Sequence, residues 1–367
     1  MKIGIISMQR VPNYGSYLQA YGLRNILREK YHDVVFIDYK PEPPVTDYSK
    51  TMYALWRVKS LAPVCKTLDY FLYYVKKEKK FNLFYKIECL PKMEIGYGRT
   101  DRKRINVAVI GSDEVFNCTQ AGFNVGFSSM LFGKNINCQK VLSYAGSFGN
   151  TTIHKIDQYG LRPFITDSFK KFRGISVRDE NSEKILKEID PDLKVQRNLD
   201  PVLVADFPDV LMSRKIKNYV LLYTYKSRSY SRDEIQEIKD FCRKNEKQLV
   251  SLGDSKEWAD IKLMVEPLEV LSWFKHADFV ITDTFHGTVM SIKCNTNFIV
   301  RIRDNNKEKM EALLSQLSQE DRKVSNYKDL QCMYEKKADF SKTNKIIELE
   351  KQRTREYLFK TIGEEVE

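Results

Sequence analysis

Short apolar runs recur along this chain with room for a helix between them, and almost every run ends in small or polar residues. Residues 2–7, 34–38, 107–111, 140–144 and 174–178 make a first series, and residues 219–223, 248–252, 279–282 and 297–300 make a second. Runs this short and this continuously apolar suit strands covered on both faces, which require helical crossovers and parallel pairing. The stretches between supply the helices. Residues 17–30 carry Leu18, Tyr21, Leu23, Ile26 and Leu27 on one face, and 231–245, 268–276 and 286–294 read the same way. The fold class expected is therefore α/β, with two Rossmann-type domains. At 367 residues the chain exceeds one ordinary core. The first domain is expected over 1–205 and the second over 206–340. Residues 341–367 read as a long, charged C-terminal helix and tail. Two such domains imply a cleft between them, the usual place for a substrate.

Composition narrows the function class. Hydrophobic residues at 42% and charged residues at 30% are ordinary for a globular protein, but a net charge of +12 calls for an anionic partner or surface. No nucleic-acid motif accompanies the charge, and the basic residues are spread over several elements, so nucleic acid is not the expected partner. Seven cysteines lie scattered without a C-x-x-C pair, which argues against a disulfide framework and a zinc site, and no metal is expected. The first residues enter a strand directly and no stretch is apolar enough to span a bilayer, so a cytoplasmic protein is expected. Residues 51–92 differ from the rest in being helical, basic and rich in Tyr and Phe. They read either as an insertion packing its aromatics on the first domain or as an interfacial surface at the inner face of a membrane.

Candidate site residues cluster after the strands, where ligands of open α/β sheets collect. Asn13, Tyr14, Gly15 and Ser16 follow the first strand and suit either a plain helix cap or an anion site. Gly111-Ser112-Asp113-Glu114-Val115-Phe116-Asn117 brings carboxylates and an amide past another strand, with Asp113 either an N-cap or a proton acceptor and Ser112 and Asn117 beside it. Arg178 ends a strand, where its guanidinium suits phosphate or carboxylate or a salt bridge to Asp179 or Glu180, and Asn198-Leu199-Asp200-Pro201 follows another short strand toward the same cleft. Asp283-Thr284-Phe285-His286-Gly287 is the sharpest of these motifs. His286 is one of four histidines and opens a helix after a buried strand, a place for anion binding and proton transfer. Arg301, Arg303, Lys307 and Lys309 follow the next strand and suit a compact, highly charged phosphate ester.

In this order the motifs resemble the polysaccharide pyruvyl transferase family. The matching pieces are the Asn13-Tyr14-Gly15 loop, Gly111 through Asn117, Ser143-Tyr144-Ala145-Gly146-Ser147-Phe148-Gly149, Ile175 through Arg178, Asp200-Pro201 and Thr282 through Thr288. Relatives often carry Trp where this chain has Phe116, and Arg where it has Lys309. The resemblance implies a GT-B-like fold, phosphoenolpyruvate as donor with no further cofactor, and a sugar diol as acceptor. The product would be a cyclic pyruvate ketal on a polysaccharide precursor. That donor needs several cations, and Arg178, His286, Arg301, Arg303 and Lys307 are residues of that kind, with His286 expected as the catalytic acid or the phosphate partner and Asp113 as the catalytic base on the acceptor hydroxyl. Asn13, Tyr14, Gly15, Ser112, Asn117 and Asp283 would line the acceptor side or the cleft, and the acceptor could be linked to a lipid diphosphate. A nucleotide-sugar-dependent glycosyltransferase of polysaccharide synthesis uses the same architecture and is the alternative.

Overall fold

The computed structural model describes residues 1–39, 42–46, 81–94, 104–120, 127–225, 227–253, 256–303 and 307–363. The chain divides into two compact units, Met1–Pro201 with the chain from Arg353 onward, and Val202–Gln352. Both are α/β units built on a parallel six-stranded sheet, the two-domain architecture expected from the strand pattern. The helix Ser341–Gly363 is long, as expected, and its residues are shared between the units.

In the first unit the strands are β1 (Lys2–Ile6), β2 (Asp33–Phe36), β3 (Ile105–Ile110), β4 (Cys138–Ser143), β5 (Phe172–Val177) and β6 (Val195–Arg197). Their order in the sheet is β2-β1-β3-β4-β5-β6, with Ile3 beside Val107 and Ile6 beside Ile110. The order reverses between β1 and β3, the kind of position where open α/β sheets bind ligands. Ile3, Ile5, Ile6, Ala108, Val109 and Ile110 are fully buried, as strands covered on both faces must be.

The second unit holds β7 (Tyr219–Tyr223), β8 (Gln248–Leu252), β9 (Ile261–Leu263), β10 (Phe279–Thr282), β11 (Phe298–Arg301) and β12 (Lys323–Val324). Their order is β12-β11-β10-β7-β8-β9, which reverses between β7 and β10. Thr282 pairs with Tyr223 at that point, so both strands end level.

Phe116 occupies the centre of an aromatic cluster in the first core. Its ring lies 5.0 Å from Phe169 and 5.5 Å from both Phe132 and Phe148. A Cβ on Gly146 would come within 2.4 Å of that ring, so this position requires glycine for packing. Where relatives carry Trp, the Phe here keeps an aromatic packing role. Most of the basic aromatic stretch 51–92 lies outside the described residues. At its described end Phe81 packs edge-on against Tyr14 at 5.2 Å, and the Tyr85 hydroxyl donates to the Gln9 carbonyl at 2.9 Å. Among the described residues no helix is long and apolar enough to cross a membrane.

Candidate active site

Each sheet carries a hydroxyl-to-aspartate hydrogen bond at its point of strand-order reversal. In the first unit the Ser16 hydroxyl, in the first turn of the helix Tyr14–Arg28 that follows β1, donates to Asp113 Oδ2, just past β3, at 2.7 Å. The Asp113 backbone has φ 82°, a left-handed conformation that costs a non-glycine residue about 1–3 kcal/mol. Neighbouring groups hold it there. The Asp113 carbonyl accepts from the amides of Val115 and Ser147, and its Oδ1 accepts from the Glu114 amide.

Arg178 ties Asp113 to a third strand end. Its Nη1 donates to Asp200 Oδ2 at 2.8 Å, and its Nη2 lies 3.9 Å from Asp113 Oδ1. Arg178 and Asp200 are both buried, and the Ser112 hydroxyl reaches the same Asp200 oxygen at 3.5 Å. Burial opposes the charge on Arg178, but Asp200, Asp113 and Asp179 outweigh it and hold the guanidinium pKa above its ordinary value. A buried arginine matched by carboxylates keeps its position before any ligand arrives.

Other predicted residues of this unit fall into supporting roles. Asn13 is the N-cap of the helix Tyr14–Arg28, its side chain accepting from the Gly15 amide at 2.8 Å, which is the cap reading left open by the sequence. Tyr14 is buried against Phe81. Asn117 donates to Glu114 Oε2 and accepts from the Thr151 hydroxyl, so it braces the loop after β3.

In the second unit the Thr224 hydroxyl, past β7, donates to Asp283 Oδ1, past β10, at 2.7 Å. Asp283 is fully buried and its other oxygen accepts from Arg303 Nε at 2.8 Å. For Arg303 too, burial opposes the charge while Asp283 and the neighbouring tyrosines more than offset it, raising its pKa. Arg301 pairs with Glu234. The guanidiniums of Arg301 and Arg303 stand 5.2 Å and 5.3 Å from the rings of Tyr327 and Tyr230, so the two arginines do share one side of the strand end, as alternation predicts.

His286 is the second residue of the helix Phe285–Lys293, buried, with its ring edge-on to Phe285 at 5.5 Å. Thr284 caps this helix by accepting from the Gly287 amide at 3.0 Å. A Cβ on Gly287 would lie 2.1 Å from Thr282 Oγ1, so the tight strand-to-helix turn that carries His286 excludes larger residues. Lys307 starts the helix Lys307–Gln316 and is exposed.

Three further participants take their partners from strand order. Ser16 ended the Asn13-Tyr14-Gly15-Ser16 motif and Thr224 went unread, and the sheet order pairs them with Asp113 and Asp283. Asp200 stood in the Asn198-Leu199-Asp200-Pro201 stretch read beside Arg178, and Arg178 donates to it at 2.8 Å.

Comparison with known proteins places these motifs in a family. The polysaccharide pyruvyl transferase family matches residues 13–305. No curated protein matches the chain. Among solved structures, UDP-GlcNAc 2-epimerase from Neisseria meningitidis, bound to UDP-GlcNAc, is similar at 10% identity. The match covers 99% of each chain with a TM-score of 0.46. The UDP-GlcNAc 2-epimerase of Methanocaldococcus jannaschii, in complex with UDP-GlcNAc and UDP, is similar at 13% identity. That match covers 95% of this chain and 99% of the other, with a TM-score of 0.43. With the family motifs present from the Asn13 loop to the arginines after β11, the chain belongs to the polysaccharide pyruvyl transferase family.

Proposed function

We propose that this protein transfers the pyruvyl group of phosphoenolpyruvate to two hydroxyls of one sugar in a polysaccharide precursor. The product is a cyclic pyruvate ketal, and phosphate is released. The observation that carries this is the family match over residues 13–305, which includes every arginine and carboxylate placed at the two sheet reversals. Phosphoenolpyruvate bears a phosphate and a carboxylate, and planar guanidiniums held in place by buried carboxylates suit both.

We assign Arg178, Arg301, Arg303, Lys307 and His286 to the donor, and Asp113 to the acceptor. In this scheme His286 gives a proton to the methylene carbon, leaving an oxocarbenium centre stabilised by the adjacent oxygen. A sugar hydroxyl attacks that centre as Asp113 takes its proton. The carbon–oxygen bond to phosphate then breaks, and the second hydroxyl closes the ketal. Of the two hydroxyl protons, one leaves with phosphate and the other restores His286. Each such proton transfer contributes about 10²–10⁴-fold in rate. The acceptor we propose is a sugar on a lipid diphosphate, met at the inner face of a membrane.

Phosphate release from phosphoenolpyruvate, measured across lipid-linked and free galactose, mannose and glucose acceptors, tests this. Acceptor-dependent release is expected, with His286→Ala lower by about 10²-fold or more. Full activity in His286→Ala removes the histidine from the chemistry. Turnover of a nucleotide sugar in place of phosphoenolpyruvate overturns the function.

A further inference from the structure

The family motifs leave unexplained the aromatic side chains that face Arg301 and Arg303. The Tyr230 and Tyr327 rings stack with centroids 6.0 Å apart and planes at 16°. Arg303 stands over the Tyr230 ring and Arg301 over the Tyr327 ring. Lys256 approaches the Tyr230 ring as well, at 5.4 Å, and is itself buried, with its Nζ donating to the carbonyls of Tyr225 and Arg228. Trp258 closes the assembly edge-on to Tyr230 at 5.5 Å.

Two further links fix the platform to the fold. The Tyr230 hydroxyl lies 3.4 Å from Asp283 Oδ2, the oxygen that also binds Arg303. Tyr230 immediately precedes Ser231, the N-cap of the helix Arg232–Lys244. In that capping box Glu234 Oε2 accepts from the Ser231 amide while Glu234 Oε1 pairs with Arg301. One helix start therefore places both the ring under Arg303 and the counter-charge of Arg301.

The chemistry gives this arrangement a purpose. A guanidinium presents its N–H donors in its own plane and its weakly hydrated faces above and below. A tyrosine ring holds such a cation by its face without consuming an N–H donor, which a carboxylate or carbonyl cannot do.

We infer that the stacked Tyr230–Tyr327 pair is a positioning platform that orients the Arg301 and Arg303 guanidiniums toward a compact phosphate- or carboxylate-bearing ligand. This rests on the proposed function for the identity of that ligand, phosphoenolpyruvate. Tyr230 is a positioning residue and takes no part in proton transfer. Its ring, rather than its hydroxyl, carries the effect.

The test uses the full chain with Tyr230→Leu and Tyr230→Phe, each checked for folding by circular dichroism. Two readouts are taken: KM and kcat for phosphoenolpyruvate at saturating acceptor, and calorimetric titration with inorganic phosphate. Tyr230→Leu is expected to raise KM and to weaken phosphate binding about tenfold, the scale of one desolvated cation–π contact, with kcat changed by less than about threefold. Tyr230→Phe is expected to stay within about threefold of wild type in both readouts. Unchanged KM and phosphate affinity in folded Tyr230→Leu overturns the platform, as does a fall in kcat with KM unmoved. Should Tyr230→Leu fail to fold, a tenfold loss in Tyr230→Phe overturns it, because the hydroxyl and not the ring would then carry the effect. A tenfold loss of phosphate affinity in Tyr230→Leu, with no turnover of phosphoenolpyruvate by the wild type, keeps the platform and sinks the proposed function.

Discussion

Asp113 combines three properties that rarely coincide in a structural residue: a left-handed backbone, a hydroxyl donor on one oxygen, and a buried arginine near the other. Backbone strain of this kind persists only where the surroundings over-determine it, and it gathers at functional sites. Asparagine tolerates the same conformation and can still accept from Ser16, but it cannot take a proton. Asp113→Asn is therefore expected to fold with a lower urea midpoint, because buried Arg178 loses one matching carboxylate, while phosphate release falls about 10²-fold or more. A rate near that of the wild type would show that Asp113 is held for packing and for Arg178 alone. At this scale the sequence was only partly legible. It singled out Asp113, Arg178, Asp283 and Arg303 because each follows an apolar run. Its sharpest motif held both His286 and Asp283, and Thr224, Tyr230 and Arg303 all reach the carboxylate of Asp283. Which side chains meet depends on strand order, and a linear reading does not contain that order.

The central strands were read where they stand, and the edge strands that were missed share a physical cause. The central strands β1, β3, β7 and β10 are continuous buried apolar runs. β9 and β12, with three and two residues, sit at the two edges of the second sheet and carry Lys262 and Lys323, so neither length nor periodicity announces them. The helix Phe285–Lys293 shows how an element is pinned at its far end. There Lys293 Nζ donates to the carbonyls of Leu203 and Ala205 at 3.1 Å and 2.7 Å. Burial, with a smaller effect from Lys351, lowers the Lys293 pKa from 10.5 to about 8. Below about 8 the cost of burying the ammonium is fully present. Between about 8 and 10.5 the unfolded chain holds a proton that the folded chain has released, so stability rises with pH across that window. The rise is about 3 kcal/mol, and Lys293→Met should abolish it. Urea midpoints of both proteins across the window give the comparison, and equal slopes would show that Lys293 keeps its ordinary affinity for the proton.

On the scale of the whole molecule, two sheets of different strand order arrive at one local solution. The first reverses between β1 and β3 and the second between β7 and β10, and at each reversal a hydroxyl past one strand binds an aspartate past its neighbour. An arginine then approaches each aspartate, Arg178 in the first unit and Arg303 in the second. Alternating strands and helices made two such units legible, because parallel sheets leave few other arrangements for these runs. The excess of positive charge was legible only as a total. Arg178 and Arg303 do not account for it, since each stands beside a carboxylate that balances its charge at a strand end. The most direct measurement supplies phosphoenolpyruvate isotopically labelled at its enol carbon, together with a sugar acceptor, and follows the label by NMR. Pyruvyl transfer predicts that the label appears as a ketal carbon on the sugar, with one phosphate released for each ketal formed. Label that stays in phosphoenolpyruvate, or that appears only in free pyruvate, across the galactose, mannose and glucose acceptors would contradict it.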